Sequence, residues 1–194
     1  MLRVPAIQQF NGSDFSVRIP LPFYIDQQID TFVADVVHSH HPFLLGDTAI
    51  RVARKRDLPL VFTHHTLYEQ YTHCVPLDSD TLKDFVMRLA TMYANHCKRI
   101  VAPSRSIALL LRDRGVRRPI EEIPTGVDIS FFAGGNGKKF RRDANLLEDA
   151  LVIGHVGRLA PEKNLAYLSA AVAIYMEKSP PVHFLVIGNG PSQP

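Results

Sequence analysis

Residues 151–164, LVIGHVGRLAPEKN, narrow what this chain can fold into more than any other stretch. Leu151, Val152 and Ile153 form an apolar, largely β-branched run of the kind buried in a parallel sheet. Gly154 and Gly157 follow, and lack of a Cβ lets the backbone there approach another group closely. Pro161 and Glu162 suit a first helical turn, and Asn164 suits a cap. Leu165, Leu168, Val172, Tyr175 and Met176 then recur at helical spacing. Arg158 and Lys163 place two cations around the turn. A glycine turn, two cations and a helix start at the carboxyl end of a strand suit a phosphate or pyrophosphate. The same strand–turn–helix joint also occurs in α/β proteins with no ligand, and neither G-x-G-x-x-G nor P-loop spacing is present. Spacing alone leaves both readings open.

The rest of the chain repeats the alternation. Phe15, Val17 and Ile19 alternate with polar residues over 14–20 and predict a short strand. Residues 25–34 predict a helix with Ile25, Ile29, Phe32 and Val33 on one side. Strands are expected at 36–40, 60–63, 99–102 and 120–123. Helices are expected at 44–56 and 81–96, the second with Leu82, Phe85, Val86, Leu89, Ala90 and Tyr93 on one face. Ser104 suits the cap of a helix carrying Ile107, Leu110 and Leu111, and Gly115 suits its end. Residues 67–80 read as a polar, aromatic loop. Strands alternating with helices predict a parallel, doubly wound sheet.

The rhythm breaks after Gly126. Residues 134–139, GGNGKK, read as a loop, so an N-terminal Rossmann-like domain is expected over 1–126 and a linker over 127–150. A second β-α-β unit is expected over 151–194. Roughly 45 residues cannot bury enough apolar surface to stand alone, so that unit is expected to pack on the first domain, or the chain to be truncated.

Composition excludes little beyond the extremes. Of the 194 residues, 46% are apolar and 21% charged, as in globular proteins, and the net charge of +3 is too small to argue for nucleic acid. The two cysteines, Cys74 and Cys97, imply no disulfide framework. The N-terminus lacks a signal-peptide pattern, and no run reaches the roughly 20 apolar residues of a membrane span.

Histidines are the remaining signal. His38, His40 and His41 lie at one expected strand end, and His64 and His65 at the next. In a parallel sheet these ends share one edge, so His40 and His65 are expected to be close. A metal site is one reading, although no H-E-x-x-H or C-x-x-C spacing is present. A hydrogen-bonding role for His65 on a substrate hydroxyl or phosphate is another, and ordinary strand-end histidines are a third.

Six strings share one resemblance. Gly157-Arg158-Leu159 with Pro161-Glu162-Lys163-Asn164 resembles the donor signature of family-4 glycosyltransferases of the GT-B fold. Residues 38–46, HSHHPFLLG, and 62–76, FTHHTLYEQYTHCVP, resemble the same family, nearest to its bacterial diacylglycerol glucosyltransferases and related mannosyltransferases. Val101-Ala102-Pro103-Ser104 and Ile123-Pro124-Thr125-Gly126-Val127-Asp128 resemble its helix-start and domain-crossing motifs, and Gly188-Asn189-Gly190-Pro191 its G-x-GP turn. The family often carries tyrosine where this chain has His64 or Cys74.

The resemblance implies an α/β fold of two Rossmann-like, doubly wound parallel-sheet domains. Both are expected to be incomplete here, because the family's opening glycine-rich loop and its later pair of glutamates have no counterpart. It implies transfer of a hexose from a nucleotide-diphosphate sugar such as UDP-glucose, with retained configuration and without a metal or cofactor. Gly157, Arg158, Lys163 and Asn164 would bind the donor diphosphate, and Gly188 and Gly190 would form a nucleotide-side loop. His65 would be the catalytic residue, with His40, Thr66, Tyr68 and Glu69 around the sugar and acceptor. A lipid acceptor at a membrane surface and a cytoplasmic, membrane-peripheral location are implied, with no nucleic-acid partner. An inactive fragment keeping only a partial phosphate site is the competing expectation. A nicotinamide dinucleotide protein is a weaker one, since the glycine turns do not fit its fingerprint.

Overall fold

The computed structural model describes residues 3–7, 17–19, 25, 29–74, 79–179 and 181–193. The chain divides into two compact units, Met1–Gly126 and Val127–Pro194.

The first unit is built on a four-stranded parallel sheet in the order β3-β4-β5-β6. Its strands are β3 (Val37–Ser39), β4 (Leu60–Thr63), β5 (Arg99–Ala102) and β6 (Ile120–Glu122). The registers align Val37 with Leu60, Phe62 with Ile100, and Ala102 with Glu122. Crossovers carry α1 (Leu45–Lys55), α2 (Asp80–His96) and α3 (Arg105–Asp113). A separate antiparallel pair joins β1 (Ala6–Ile7) to β2 (Val17–Arg18). Only β2 lies within the strand expected at 14–20, of which residues 14–16 and 20 fall outside the described residues.

Each helix starts where its sequence allows. Ser79 and Ser104 accept hydrogen bonds from the amides of Leu82 and Ile107, capping α2 and α3. Gly115, at φ +90°, turns the chain away after α3. The core is filled by Phe62, Ile100, Leu111 and Cys97, all fully buried, with Ala90, Tyr93 and Ala94 of α2 packed against them. The Cys97 thiol is pushed up to about 12 by burial.

Several expectations need correction. The helix expected at 25–34 ends at Asp30, and Phe32 and Val33 are exposed. Arg56 explains the stop: its guanidinium donates to the carbonyls of Ile29 and Phe32 and to the Asp30 carboxylate, satisfying groups a longer helix would use. Those hydrogen bonds also hold the Asp30 carboxyl below the usual range. The loop expected at 67–80 contains a 3-10 helix, Tyr68–Cys74, and residues 75–78 lie outside the described set. Phe85 of α2 faces solvent, because the buried stripe runs through Ala90, Tyr93 and Ala94, on another side of the helix.

In the second unit, β7 (Leu151–Val156) and β8 (Val182–Ile187) pair in parallel along their full length, joined by α6 (Leu165–Lys178). Residues 127–150, read as a linker, fall within this unit and carry α4 (Ile129–Ala133) and α5 (Gly137–Asp143). Asp128 and Asn136 supply the caps that the loop reading overlooked, accepting from the amides of Phe131 and Lys139. Lys139 and Asp143, one turn apart, add an ion pair. Arg141 donates to the carbonyls of Leu147 and Ala150 and ties α5 to the start of β7. Among the described residues of this unit, full burial of apolar side chains is confined to Ala150, Leu159, Ala160 and Val172. Two strands and one crossover helix leave Leu151, Val156, Tyr167 and Ile174 exposed.

The first unit therefore carries the larger core. Phe62→Ala is expected to lower stability by about 3–5 kcal/mol. Urea unfolding followed by far-UV circular dichroism checks this, and a loss below about 1 kcal/mol would contradict the packing described.

Candidate functional site

The candidate residues fall into two groups, one in each unit. In the first unit, β3 and β4 run parallel and end at the same edge. His38 and His40, two apart along the end of β3, have ring centroids 4.4 Å apart and planes tilted by 37°. The His65 ring, just past β4, lies 5.6 Å from that of His40. The His38 Nε2 and the Thr63 hydroxyl share a 2.7 Å hydrogen bond. All three rings are exposed. Burial and the neighbouring His40 hold His38 below the ordinary histidine value. The Thr66 hydroxyl lies 3.4 Å from His65 Nδ1.

Alternation sends the next histidine the other way. His64 is 2% exposed, packed edge-on against Phe62 and Tyr68. Neither of its ring nitrogens has a hydrogen-bond partner among the described residues. Burial above all, and then the charge of Arg114, depress it to about 4, so it is a neutral ring near pH 7.

Two of the expected cleft residues support the edge from beneath. Tyr68 is buried, and its hydroxyl donates to the His40 carbonyl at 3.2 Å. Its ring meets His41 and Phe43 edge-on, and burial raises its phenol well above the ordinary value. Glu69 is buried too, with its carboxylate held by Arg114 at 2.5 Å. That pairing commits the charge of Glu69 to a structural contact.

Sequence reasoning missed three supporting residues. Tyr93 of α2 donates to the Ser39 hydroxyl at 2.7 Å, and burial pushes its own phenol up to about 12. A Cβ on Gly46 would lie 2.5 Å from the His41 carbonyl oxygen and 3.0 Å from the Tyr93 ring. Tyr93 was visible only as the last apolar residue of a helical stripe, and Gly46 carried no signal until the loop above it was placed.

The second group lies at the exit of β7. Gly157 has φ +155°, a conformation that side-chain-bearing residues rarely adopt. Its amide donates to the Ile187 carbonyl, and the Leu159 amide donates to that of Asn189, so the turns after β7 and β8 are laced together. A Cβ on Gly188 would lie 1.8 Å from the Gly157 carbonyl oxygen, and one on Gly190 2.1 Å from that of Leu159. Both glycines are therefore required by backbone contact between the two turns.

Arg158 follows Gly157 directly, with the Glu162 carboxylate 3.6 Å away. Pro161–Lys163 form a 3-10 turn, not the first turn of α6 as expected. Asn164, left-handed at φ 48° and ψ 45°, separates the two. It makes no side-chain cap, correcting that expectation, although its carbonyl accepts from the Leu168 amide. Lys163 is exposed.

Among the described residues, no group of three or more His, Cys, Asp or Glu is arranged to hold a metal ion. No described helix is long and apolar enough to cross a membrane. Two grooves of about 320 and 290 Å³ are lined by neither the histidine edge nor the glycine turns; one lies beside Met87, Thr91 and Arg114, the other beside Ile25, Val37 and Val52.

A family model for Glycosyltransferase Family 4 matches residues 1–131. This chain belongs to that family. The α-monoglucosyldiacylglycerol synthase of Acholeplasma laidlawii is 27% identical over 174 residues, covering 82% of this chain and 43% of the relative. The D-inositol 3-phosphate glycosyltransferase of Actinosynnema mirum is 32% identical over 165 residues, covering 81% of this chain and 39% of its own. The solved structure of Anabaena Alr3699/HepE in complex with UDP-glucose superposes with a TM-score of 0.64 at 23% identity, over 88% of this chain and 43% of that one. The family-4 chain thus has the GT-B type of α/β fold and spans less than half the length of the relatives it matches.

Two tests address these groups. His64 binds a proton at 6.5 when unfolded and at about 4 when folded, so stability is complete above pH 6.5 and falls as the pH drops toward 4. The shift corresponds to roughly 3 kcal/mol, and His64→Phe is expected to flatten that part of the profile. Urea midpoints measured across this range check it; an unchanged slope in the variant would contradict the assignment. Gly188→Ala is expected to separate the two turns at a cost of about 1–3 kcal/mol. Faster hydrogen exchange at the Gly157 and Leu159 amides is the expected readout, and unchanged protection would refute the contact.

Proposed function

We propose that this chain supplies the acceptor-side edge and the donor turn of a glycosyltransferase that moves a hexose from a nucleotide-diphosphate sugar to an acceptor hydroxyl. The observation that carries the reading is the turn after β7, where Gly157 is locked by backbone pairing and Arg158 comes next in a family-4 chain. A turn held by backbone contacts presents its cation with little reorganisation, as electrostatic stabilisation of a leaving group requires. Arg158 and Lys163 hold the diphosphate and offset the charge that grows as the anomeric carbon–oxygen bond breaks. The acceptor oxygen bonds to that carbon on the same face, and its proton passes to the departing phosphate oxygen. Attack on that face retains the configuration, and the proposed step requires no metal.

His65 donates a hydrogen bond to the transferred sugar or the acceptor, with His40 and Thr66 beside it. Tyr68 acts by holding the His40 backbone, and Gly188 and Gly190 by admitting the turn that carries Arg158. Asn164 lets the chain leave that turn before α6. UDP-glucose is the favoured donor, since the Anabaena neighbour was solved with it. A lipid is the favoured acceptor, since one relative is a glycolipid synthase. Such an acceptor places the enzyme at the cytoplasmic face of a membrane without requiring a span. The remnant reading is not favoured, because the chain matches family-4 enzymes and keeps both the Gly157–Arg158 turn and the histidine edge.

Calorimetric titration of the chain with UDP, UDP-glucose and GDP-mannose tests the proposal. One nucleotide is expected to bind, and Arg158→Ala to weaken it by roughly 1.5–3 kcal/mol, the scale of a charge-assisted hydrogen bond. Equal affinity in the variant would remove the central claim.

A further inference from the structure

We propose that His38, His40 and His65 form a binding site for a phosphate group on the acceptor. The inference rests on the reading that this edge faces the acceptor. Three exposed imidazoles lie in a row, with centroids 4.4 and 5.6 Å apart, at the ends of two neighbouring strands. Each imidazole offers at least one N–H donor, and a protonated ring offers two. Among the described residues no carboxylate pairs with any of the three. The nearby Glu69 is already held by Arg114 at 2.5 Å, and His64 beside His65 is buried and neutral.

A neutral hydroxyl needs one or two partners and leaves such a row of donors unused. A phosphate presents several acceptor oxygens and negative charge, which matches several neighbouring imidazole N–H groups. It also offsets the repulsion from His40 that disfavours the charged form of His38. The support beneath is fixed, since Tyr68 holds the His40 carbonyl and Tyr93 holds Ser39. The Thr63 hydroxyl is hydrogen-bonded to His38, at one end of the row. The row is therefore pre-formed, and binding need only turn exposed rings. The shared chemistry is a phosphate ester, carried either by a soluble polyol or by a lipid headgroup.

The test is residue-resolved imidazole NMR of the whole chain in slightly acidic buffer, titrated with inorganic phosphate. The rings of His38, His40 and His65 are expected to shift together and saturably, with His96 unmoved. His40→Ala is expected to weaken phosphate binding at this edge roughly tenfold, the scale of one charge-assisted bond. His40→Gln repeats the measurement if the alanine variant unfolds. Arg158→Ala is expected to leave these ring shifts intact, which separates them from phosphate at the donor turn. Rings that stay still, or equal affinity in the folded His40 variants, would overturn the proposal. Stationary rings beside intact UDP binding would sink this inference and leave the donor reading standing; moving rings without UDP binding would do the reverse. Glycerol phosphate and phosphatidylglycerol vesicles form two further arms, and the tighter of them identifies the source of the phosphate.

Discussion

Because β3 to β6 run parallel, every strand delivers its last residues to one edge, and every return must cross the sheet in a helix. That pairing makes chemistry out of residues far apart in sequence. His40 and His65 are 25 positions apart and meet only because β3 and β4 end side by side in register. The same constraint operates in the second unit, where full parallel pairing of β7 and β8 brings the turns after them together. Without it Arg158 would sit on an unsupported loop.

Pairing alone does not hold the edge still. A layer of buried polar atoms beneath it does so. The phenols of Tyr68 and Tyr93 reach a backbone carbonyl and a serine hydroxyl at the end of β3, and Gly46 leaves room for that loop to fold down. Arg114 and Glu69 close the layer on the side of α3 with a buried ion pair. Such a pair adds little net stability against an apolar replacement, but losing one partner would strand a buried charge. His64 is the costly member, an imidazole with no partner inside that layer.

The sequence carried the architecture more clearly than the roles of individual side chains. Apolar β-branched runs marked most strands of the sheets, since a buried parallel strand has few polar positions. Ser104 and Gly115 announced the ends of α3 through local backbone chemistry, which needs no tertiary information. The split between His64 and His65 followed from strand alternation. What failed depended on distant partners. Phe32 and Val33 read as a helix face because nothing local reveals that Arg56 caps the carbonyls ahead of them. The 134–139 stretch read as loop because its glycines outweighed the Asn136 cap. Neither the Tyr68 bond to the His40 carbonyl nor the Arg114 ion pair of Glu69 was legible, because a motif shows which residues recur, not what they touch.

Cys97 lies at the centre of the first unit with no exposed surface and a thiol donating to the Tyr93 carbonyl. Its sulfur is protonated and shut away, so no alkylating reagent reaches it while the sheet is closed. It sits directly between the end of α2 and the start of β5, beneath the helix that carries Tyr93. Any opening of that helix large enough to release the histidine edge would also bare the sulfur. The rate at which Cys97 becomes reactive is thus a clock, built into the chain, for how often the edge comes apart.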